Sequence, residues 1–259
     1  MKKTAISILG SGTCVPSLER AACCVLAKTG ESKILFDLGP GIMRRLLEDG
    51  VAIHEITHIF LSHFHPDHCA ELVPFLFALK YPDFKKRSKP LSVIAGKGLE
   101  TFFGRLQRAW GDWMAPDPDF FRLMELDLDG PGPRRMAFPD FVLEWAPANH
   151  RPESAAFKIT DAAGKSLVYS GDTDESENVM ALSKNADVLV CESAMPDDLK
   201  VDGHLTPSLA GEIARKAGLK RLILTHFYPE CLQADPEGQA RKTFGGDLIM
   251  ARDLMRIEL

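Results

Sequence analysis

The stretch "SHFHPDHCA", residues 62–70, places three histidines and one aspartate within six positions. It overlaps the end of "ITHIFLSH", residues 56–63, an apolar run that is typical of a buried strand. His63 and His65 are two positions apart, so on an extended strand end both side chains point the same way and can bind one ion. Asp67 and His68 fall on the next turn and can face a second ion. The motif therefore predicts two half-formed metal sites, whose remaining ligands must come from elsewhere in the chain.

Three later segments each end in a residue that can bind metal. His150 ends "EWAPANH", Asp172 lies in "LVYSGDTD", and His226 ends "RLILTHF". Side chains on loops at strand ends are where α/β proteins build their sites. Taken singly, each histidine is more readily explained as a hydrogen-bonded structural residue, and Asp172 as a helix cap within "GDTDESE". The density of ligand-type residues in the first motif favours a metal site.

The bulk properties predict one α/β layered domain over residues 1–259, long enough to bury a core without disulfides. The formal charge is −5 with both signs interspersed, which argues against a generic nucleic-acid-binding surface. The richest basic stretch, "KYPDFKKRSK" (residues 80–89), is interpreted as a solvated loop. Six cysteines without a C-x-x-C pair fit a reducing cytoplasm. No stretch is long and apolar enough to predict a membrane span, and "AISILG" is interpreted as a first strand and not an export signal.

The order of strand-like and helix-like segments predicts two similar halves. Strand pairs followed by helices suggest two sheets packed face to face with helices outside. The stretch from Gly111 to Pro139, rich in Pro, Asp and Gly, is predicted to be irregular and a flap. The predicted strands are "TAISILG", "CCVLAKT", "SKILFDLG", "ITHIFLSH", "LSVIAG", "FVLEWAPA", "AAFKITD", "SLVYSGD", "DVLVCES" and "RLILTHF". The predicted helices are "PGIMRRLLEDG", Cys69 to Tyr81, "GLETFFGRLQRAW", Asn178 to Lys184 and "PSLAGEIARKAG".

The motifs "SHFHPDH", "NH", "SGDT" and "THF" resemble, in this order, those of the metallo-β-lactamase superfamily of hydrolases. The resemblance runs over nearly the whole chain. It implies a four-layered αβ/βα sandwich with a dinuclear metal site at one edge. Carried over to this sequence, it assigns one metal to His63, His65 and His150. It assigns the second metal to Asp67, His68 and His226, with Asp172 bridging both.

Three further stretches are similar to the ribonuclease Z-like branch of that superfamily. They are the glycine-rich opening "ILGSGTCVPS", the strand-to-helix segment "FDLGPGIMRRL", and the block "CESAMPDD" followed by "GHLTPSLAGEIA". The resemblance implies that Glu192 and His204 form a supporting pair in which His204 donates a proton to the leaving group. The alternative for His204 is a residue at a helix entry, with Thr206 as the cap. The block departs from the branch's His-Glu-Ala-Thr, since Cys191, Ser193 and Ala194 surround Glu192.

The resemblance to members of this branch that lack the RNA-binding arm implies metal-dependent hydrolysis of a small or cyclic phosphodiester, or of an RNA end. Two divalent ions lower the pKa of a shared water, and the resulting hydroxide attacks phosphorus. Zn²⁺ is the expected metal, with Mn²⁺ or Fe²⁺ as alternatives because histidine and carboxylate ligands accept all three. Asp67 is expected to orient the attacking water as well as to bind metal.

Several alternatives remain open at this stage. A lactonase or thioesterase would keep the metals and change the bond that is cleaved, and a binding module would keep the metals for structure only. Transfer-RNA 3′ processing is not favoured, because no long basic Gly/Pro-rich arm is present and the segment from Gly111 to Arg135 is mostly acidic. The expected partner is a small phosphodiester or nucleotide. A membrane is not expected, and nucleic acid is left open as a less favoured partner. A homodimer is left open.

Overall fold

Two seven-stranded β-sheets pack against each other in the structure, which is a computed structural model describing residues 4–80, 89–114, 117–130 and 132–259. Strands and helices are numbered along the chain. The first sheet has the order β14-β1-β2-β3-β4-β5-β6. Its strands are β1 (Ala5–Gly10), β2 (Cys24–Thr29), β3 (Ser32–Phe36), β4 (His58–Leu61), β5 (Leu91–Gly96), β6 (Phe121–Leu126) and β14 (Met255–Glu258).

The second sheet repeats the design of the first, with the order β13-β12-β11-β10-β9-β8-β7. Counted from β14 in the first sheet and from β7 in the second, three antiparallel pairings are followed by three parallel ones. The sequence prediction of two similar halves is confirmed. The strands are β7 (Arg134–Ala137), β8 (Phe141–Pro147), β9 (Ala155–Asp161), β10 (Ser166–Tyr169), β11 (Val188–Glu192), β12 (Arg221–Thr225) and β13 (Asp247–Met250).

An aromatic core joins the two sheets. Phe60 of β4 stacks on Phe157 of β9 with ring centroids 5.3 Å apart, and Phe36 of β3 lies 5.5 Å from Tyr169 of β10. All four side chains are almost completely buried. Aromatic pairs at these separations add to the hydrophobic stabilisation that burial provides. The inner faces of the sheets therefore form a single packed core.

Helices cover the outer face of each sheet, which makes the four layers of an αβ/βα sandwich. Apolar residues of α1, α3 and α4 pack on the first sheet, while α5 packs on β8 and β9 and α6 on β11 and β12. Within the described ranges, each helix is too short or too polar to cross a membrane. The helices are α1 (Ile42–Glu48), α2 (Pro66–Cys69), α3 (Leu72–Leu79), α4 (Leu99–Trp110), α5 (Glu177–Ser183), α6 (Pro207–Lys216), α7 (Pro229–Gln233) and α8 (Pro236–Arg241).

Two predicted segments differ from the structure. The helix expected from Cys69 to Tyr81 is two helices, α2 and α3, and Tyr81 lies outside the described residues. Ala70 and Glu71 separate the two helices, and the Glu71 carboxylate accepts hydrogen bonds from the backbone N–H groups of Gly41 and Met43. This contact fixes the start of α1 beside the metal-binding motif.

The stretch from Gly111 to Pro139 is not the irregular flap that its composition predicted. Apart from residues 115–116 and 131, which are not described, it contains β6 and β7, the edge strands of the two sheets. Both strands are short and largely exposed, so the alternation of buried and exposed side chains is weak. They form because a neighbouring strand supplies backbone partners: β5 pairs with β6, and β8 pairs with β7.

Candidate metal centre

The centre lies where the carboxyl ends of strands from both sheets meet. The buried strand β4 ends at Leu61, and the chain then turns through the motif into α2, where Pro66 occupies the first helical turn. His63 and His68 are fully buried, and His65 is partly exposed. The turn thus presents its ligand-type side chains inwards at one end of the sandwich.

The second sheet contributes the other three predicted ligands. Asp172 follows β10, His226 follows β12, and His150 lies shortly beyond β8. His226 has a backbone φ of 59°, a left-handed conformation that is unusual for any residue other than glycine. Such conformations are found where a functional site requires them. The turns that follow three strands of the second sheet, one of them with a left-handed residue, therefore carry these side chains to the motif on the first sheet.

The structure brings all seven predicted ligands together in two groups. Within each group, ligand atoms lie within 4.8 Å of one another, and the groups match the division that the family resemblance implied. The first group is His63, His65, His150 and Asp172, and the second is Asp67, His68 and His226.

Asp172 occupies the central position between the groups. Its Oδ1 lies 3.4 Å from His226 Nε2, and its Oδ2 lies 3.2 Å from His68 Nε2 and 3.8 Å from His63 Nε2. Its carboxylate therefore faces members of both groups, as a bridging ligand must. It does not cap the next helix, because α5 is capped by Ser176.

The hydrogen bonds of the histidines fit metal binding. His150 Nδ1 donates to the carbonyl of Gly203 at 2.9 Å, and His68 Nδ1 donates to Asp37 at 2.7 Å. A histidine that donates one ring nitrogen in this way presents the lone pair of the other to a metal. Among the described residues, His63 Nε2 is a buried atom with no hydrogen-bond partner. Asp172 Oδ1 is likewise buried without a hydrogen-bond partner. The convergent nitrogen and oxygen atoms of this cluster fit two divalent cations.

The pKa shifts of two of these side chains fit metal binding. Burial, reinforced by the neighbouring His68, lowers the pKa of His63 to about 2, so its imidazole is neutral at physiological pH. Burial alone would raise the pKa of Asp67, but His226 and His68 beside it lower the value to about 2. Metal ligands must be deprotonated to bind, and His63 and Asp67 meet that condition. Burial tends to lower the pKa of His68, but the carboxylates of Asp172 and Asp37 beside it raise that pKa well above its usual value.

Asp37 is a residue of the centre that the sequence did not reveal as one. It follows β3 in "FDLG" with φ of 64°, and its buried carboxylate accepts four hydrogen bonds. The donors are Ser62 N at 2.7 Å, Ser62 Oγ at 2.8 Å, His68 Nδ1 at 2.7 Å and Tyr169 Oη at 2.6 Å. Asp37 therefore fixes the orientation of His68 and the start of the metal-binding turn. Its signals in the sequence were its position at a strand end and its place in "FDLGPGIMRRL", a stretch that the resemblance singled out without giving Asp37 a role.

The loop after Asp172 holds three other loops in place. Thr173 N donates to Glu192 at 2.7 Å, and Thr173 Oγ1 accepts from Asn149 N at 3.0 Å. Asp174 N donates to the carbonyl of Asn149 at 2.8 Å, and Asp174 Oδ2 accepts from Gly203 N at 2.9 Å. The segment "GDTD" thus positions the loops that carry His150 and His204 relative to the bridging carboxylate.

His204 and Glu192 form a pair beside the centre. His204 Nδ1 lies 3.0 Å from Glu192 Oε1 and 3.8 Å from Asp172 Oδ2. Burial tends to lower the pKa of His204, but the hydrogen bond and charge of Glu192 raise it to about 9. The His204 ring lies 4.8 Å from that of His150, and with Asp172 and His226 it forms a third set of neighbouring ligand atoms. Thr206 precedes α6, but its side chain makes no capping hydrogen bond.

One cysteine next to the motif and two other histidines lie outside the centre. Cys69 is buried at the end of α2, where its thiol donates to the carbonyl of His65. His54 precedes β4, and His58 begins that strand, so both lie at the end away from the metal-binding turn. The sequence had given none of them a role.

Comparisons with known proteins place this geometry in a family. A profile described as "Beta-lactamase superfamily domain" matches residues 32–227. A ribonuclease Z from Nocardia farcinica is 26% identical, and the match covers 100% of this chain and 99% of the relative. That alignment spans 312 positions, more than the 259 residues of this chain, so the relative has insertions.

Solved structures share the fold. The metallo-β-lactamase fold protein YhfI from Bacillus subtilis superposes with a TM-score of 0.86 at 23% identity over 100% of both chains. Human tRNase Z, short form, gives 0.78 at 24% identity over 98% of both. A diphosphatase from the PhnP family gives 0.71 at 16% identity over 99% of this chain and 98% of the other. The chain belongs to the β-lactamase superfamily, as a metal-dependent hydrolase with the metallo-β-lactamase fold.

Proposed function

We propose that this protein is a phosphodiesterase acting on small or cyclic phosphodiesters. The observation that carries the proposal is the His204–Glu192 pair, in which a histidine with a raised pKa lies beside two groups of metal-ligand atoms. A hydrolase that cleaves a phosphodiester must protonate an alkoxide as it leaves, and a protonated histidine can supply that proton.

The seven ligands would hold two divalent ions, with Asp172 shared between them. Zn²⁺ suits this set of histidines and carboxylates, and Mn²⁺ or Fe²⁺ suit it as well. Bound there, the ions would neutralise the anionic oxygens of a phosphodiester and lower the pKa of a water. Asp67, with its lowered pKa, would accept a hydrogen bond from a water and orient it towards phosphorus.

His204 acts at the opposite side of the reaction. Glu192 Oε1 accepts from His204 Nδ1 and also from Thr173 N, so the glutamate fixes the ring while its charge keeps the imidazole protonated. The proton passes from His204 to the departing oxygen. Catalysis of this type contributes about 10²–10⁴-fold to a rate.

Transfer-RNA 3′ processing is the second candidate, favoured by full-length relatives that carry the name ribonuclease Z. The charge of the chain supports the smaller substrate instead, since RNA binding draws on many Lys and Arg contacts to phosphates. The formal charge is −5, and the stretch from residue 111 to 135 contributes edge strands instead of a basic arm in its described part. The basic stretch at residues 80–89 lies mostly outside the described residues.

The test uses two substrates that differ in the basicity of the leaving group. Bis(p-nitrophenyl) phosphate releases a weakly basic phenolate, whereas a 2′,3′-cyclic nucleotide releases an alkoxide. In metal-loaded protein, His204→Asn should lower kcat for the cyclic nucleotide by about 10²–10⁴-fold and for the aryl diester by much less. Metal content, measured by mass spectrometry, should be unchanged. His54→Asn is the matched control, because His54 lies outside the centre.

Each other outcome selects a different function. Equal losses on both substrates would show that His204 does not act as a general acid. Cleavage of precursor transfer RNA at a higher kcat/KM than any small diester would select the ribonuclease Z candidate. Hydrolysis of lactones or thioesters with no activity on phosphodiesters would overturn the proposal in favour of a hydrolase of the same fold acting on carbonyl substrates.

A further inference from the structure

Tyr228 is a polar side chain at the edge of the metal centre that the mechanism above does not use. It lies two positions after His226, between β12 and α7, and its ring stands edge-on to that of His226 with centroids 6.0 Å apart. The side chain is only partly buried, so a bound molecule can reach it. A tyrosine in such a place packs through its ring while its O–H seeks a hydrogen-bond partner.

The backbone around Tyr228 is fixed by the rest of the fold. Tyr228 N donates to the carbonyl of Ala194 at 3.1 Å, and Phe227 N donates to the carbonyl of Ser11 at 3.2 Å. Phe227 is buried, and α7 begins with Pro229 directly after Tyr228. The chain therefore presents the phenol from a preformed position, as a functional side chain requires.

The hydroxyl of Tyr228 lies on the side of the centre that carries Asp67. Tyr228 Oη is 3.5 Å from the sulfur of Cys14, and Cys14 and Asp67 line one cavity between the β1–β2 loop and the metal-binding turn. Burial raises the pKa of Tyr228, and Cys14, Asp67 and Asp172 raise it further, so the phenol is near enough to feel the charge of both carboxylates. The hydroxyl thus borders the space beside the second ligand group.

Cys14 is a weak partner for this hydroxyl. A thiol is a poor donor and a poor acceptor, and Cys14 is exposed on its loop. Within the described ranges, its sulfur is the one hydrogen-bond partner of Tyr228 Oη. An anionic oxygen accepts far more strongly than sulfur, because a hydrogen bond to a charged group is about twice as strong as one between neutral groups. The O–H of Tyr228 is therefore available to an anion at the centre.

The histidine donors already described at the centre have other roles. His68 and His150 donate their Nδ1 protons to Asp37 and to the carbonyl of Gly203. The proton of His204 goes to the departing oxygen in the proposed mechanism. A phosphodiester also has two non-bridging oxygens, and donors aimed at charge that develops during a reaction lower its barrier. Tyr228 can provide such a donor.

We propose that the hydroxyl of Tyr228 donates a hydrogen bond to one non-bridging oxygen of the substrate's phosphoryl group. The hydrogen bond strengthens as attack on phosphorus adds negative charge to that oxygen, which makes Tyr228 a catalytic residue. The phenol keeps its proton, and Tyr228 forms no covalent bond. This inference rests on the proposed phosphodiesterase function.

Two chiral substrates test the contact. The Rp and Sp forms of methyl p-nitrophenyl phosphorothioate each carry sulfur in place of one of the two non-bridging oxygens. Tyr228→Phe should lower kcat/KM for methyl p-nitrophenyl phosphate by about 10–100-fold, the effect of losing a hydrogen bond to a charged group. It should cause a similar loss with one phosphorothioate and a much smaller loss with the other, because sulfur accepts hydrogen bonds weakly. All three substrates release p-nitrophenolate, so the need for a proton from His204 is small.

Two controls separate a direct contact from a structural effect. Mass spectrometry should find the same metal content in wild-type protein and in Tyr228→Phe. Tyr169→Phe is the matched variant, because it also removes one phenol O–H, which donates to Asp37 and not to a substrate. In Tyr169→Phe the ratio of kcat/KM between the two phosphorothioates should equal that of wild type. Equal losses with both phosphorothioates in Tyr228→Phe would show that Tyr228 contacts neither non-bridging oxygen.

A binding measurement distinguishes failure of this contact from failure of the proposed function. In calorimetry on metal-loaded protein, inorganic phosphate should bind wild type about tenfold more tightly than Tyr228→Phe. If phosphate shows this difference while no diester is hydrolysed, the contact stands and the phosphodiesterase proposal falls. If diesters are hydrolysed while Tyr228→Phe matches wild type with both phosphorothioates and with phosphate, the contact is overturned and the phosphodiesterase proposal stands.

Discussion

Asp37 shows how one buried carboxylate can organise a metal centre without binding metal. Its four hydrogen bonds reach the backbone and hydroxyl of Ser62, the Nδ1 of His68 and the phenol of Tyr169. The contacts come from β4, α2 and β10, so both sheets are joined at this residue. Partners of this kind set the tautomer and the ring orientation of a ligating histidine.

We expect Asp37→Asn to weaken metal binding by about 10–100-fold. The amide has one acceptor oxygen in place of two, and its NH₂ group opposes the donors that now point at it. Competition with a chromophoric chelator should show the loss in the more weakly bound of the two ions. Asp140→Asn is the matched control, since Asp140 also accepts hydrogen bonds, from Glu31 N and Ser32 Oγ, but belongs to neither ligand group. Two ions bound with wild-type affinity by Asp37→Asn would contradict the positioning role.

At the scale of elements, the centre depends on turns that approach each other closely. A Cβ on Gly39 would lie 1.9 Å from the carbonyl oxygen of Asp67, so the turn after β3 packs against the metal-binding turn without room for a side chain. A Cβ on Gly171 would lie 2.5 Å from Ser62 Cβ. The short distances between ligands from different strands therefore require glycine at these contacts.

Gly171→Ala should destabilise the protein and reduce its metal affinity. Gly171 combines a left-handed φ of 57° with the contact to Ser62, whereas Gly164 has φ of 82° and no neighbour within 4 Å of the added Cβ. Gly164→Ala is thus a matched control that costs only the left-handed conformation, about 1 kcal/mol. We expect Gly171→Ala to cost on the order of 1–3 kcal/mol more in urea unfolding. Equal losses in the two variants would mean that the turn at Gly171 relaxes freely.

The end of α1 should make stability depend on pH. Asp49 caps α1 and accepts from Ser7 Oγ, Lys28 Nζ and Arg256 Nε, which connects β1, β2 and β14. Burial tends to raise the pKa of Asp49, but the hydrogen bonds from Lys28 and Arg256 outweigh it and lower the pKa. A carboxyl whose folded pKa is depressed stabilises the protein above its unfolded pKa, about 3.9, and this stability is lost as the pH falls through the folded value.

Asp49→Asn should therefore make the free energy of unfolding less dependent on pH in the acid range. At pH 7 the variant should lose on the order of 1–2 kcal/mol of unfolding free energy, a value reduced because Lys28 and Arg256 are partly exposed. Below pH 3 the difference from wild type should shrink. Urea titrations from pH 2.5 to 7 measure both. A difference that stays constant with pH would assign the effect to packing and not to charge.

At the scale of the molecule, the sequence predicted those strands and candidate ligands that a short stretch of neighbouring residues determines. "ITHIFLSH" and "RLILTHF" are buried strands ending in histidine, and both strands and both histidines lie where they were expected. The strand β14 was not predicted, because Met255–Glu258 is short and forms only by pairing with β1, some 250 residues away along the chain. Asp37 was missed as part of the centre for a related reason. One aspartate after a strand has no spacing pattern, and its role depends on contacts with α2 and β10.

Because both sheets contribute candidate ligands, we expect bound metal to hold the two halves of the sandwich together. The first sheet provides His63, His65, Asp67 and His68, and the second provides His150, Asp172 and His226. Ions that bind only the folded state stabilise it by about 2.7 kcal/mol when their free concentration is one hundred times Kd. For a chain of this length that corresponds to roughly 5–10 °C in Tm.

Calorimetric scans before and after removal of metal with EDTA test this linkage. The Tm should fall on chelation, because the ligands of the two sheets then no longer share an ion. It should recover when Zn²⁺ or Mn²⁺ is restored. Asp172→Asn should reduce the metal-dependent part of the Tm, since this carboxylate faces both ligand groups. Asp140→Asn should retain it. If mass spectrometry shows complete release of metal while the Tm is unchanged, ions in this centre do not contribute to joining the sheets, and the packed aromatic core between them is sufficient.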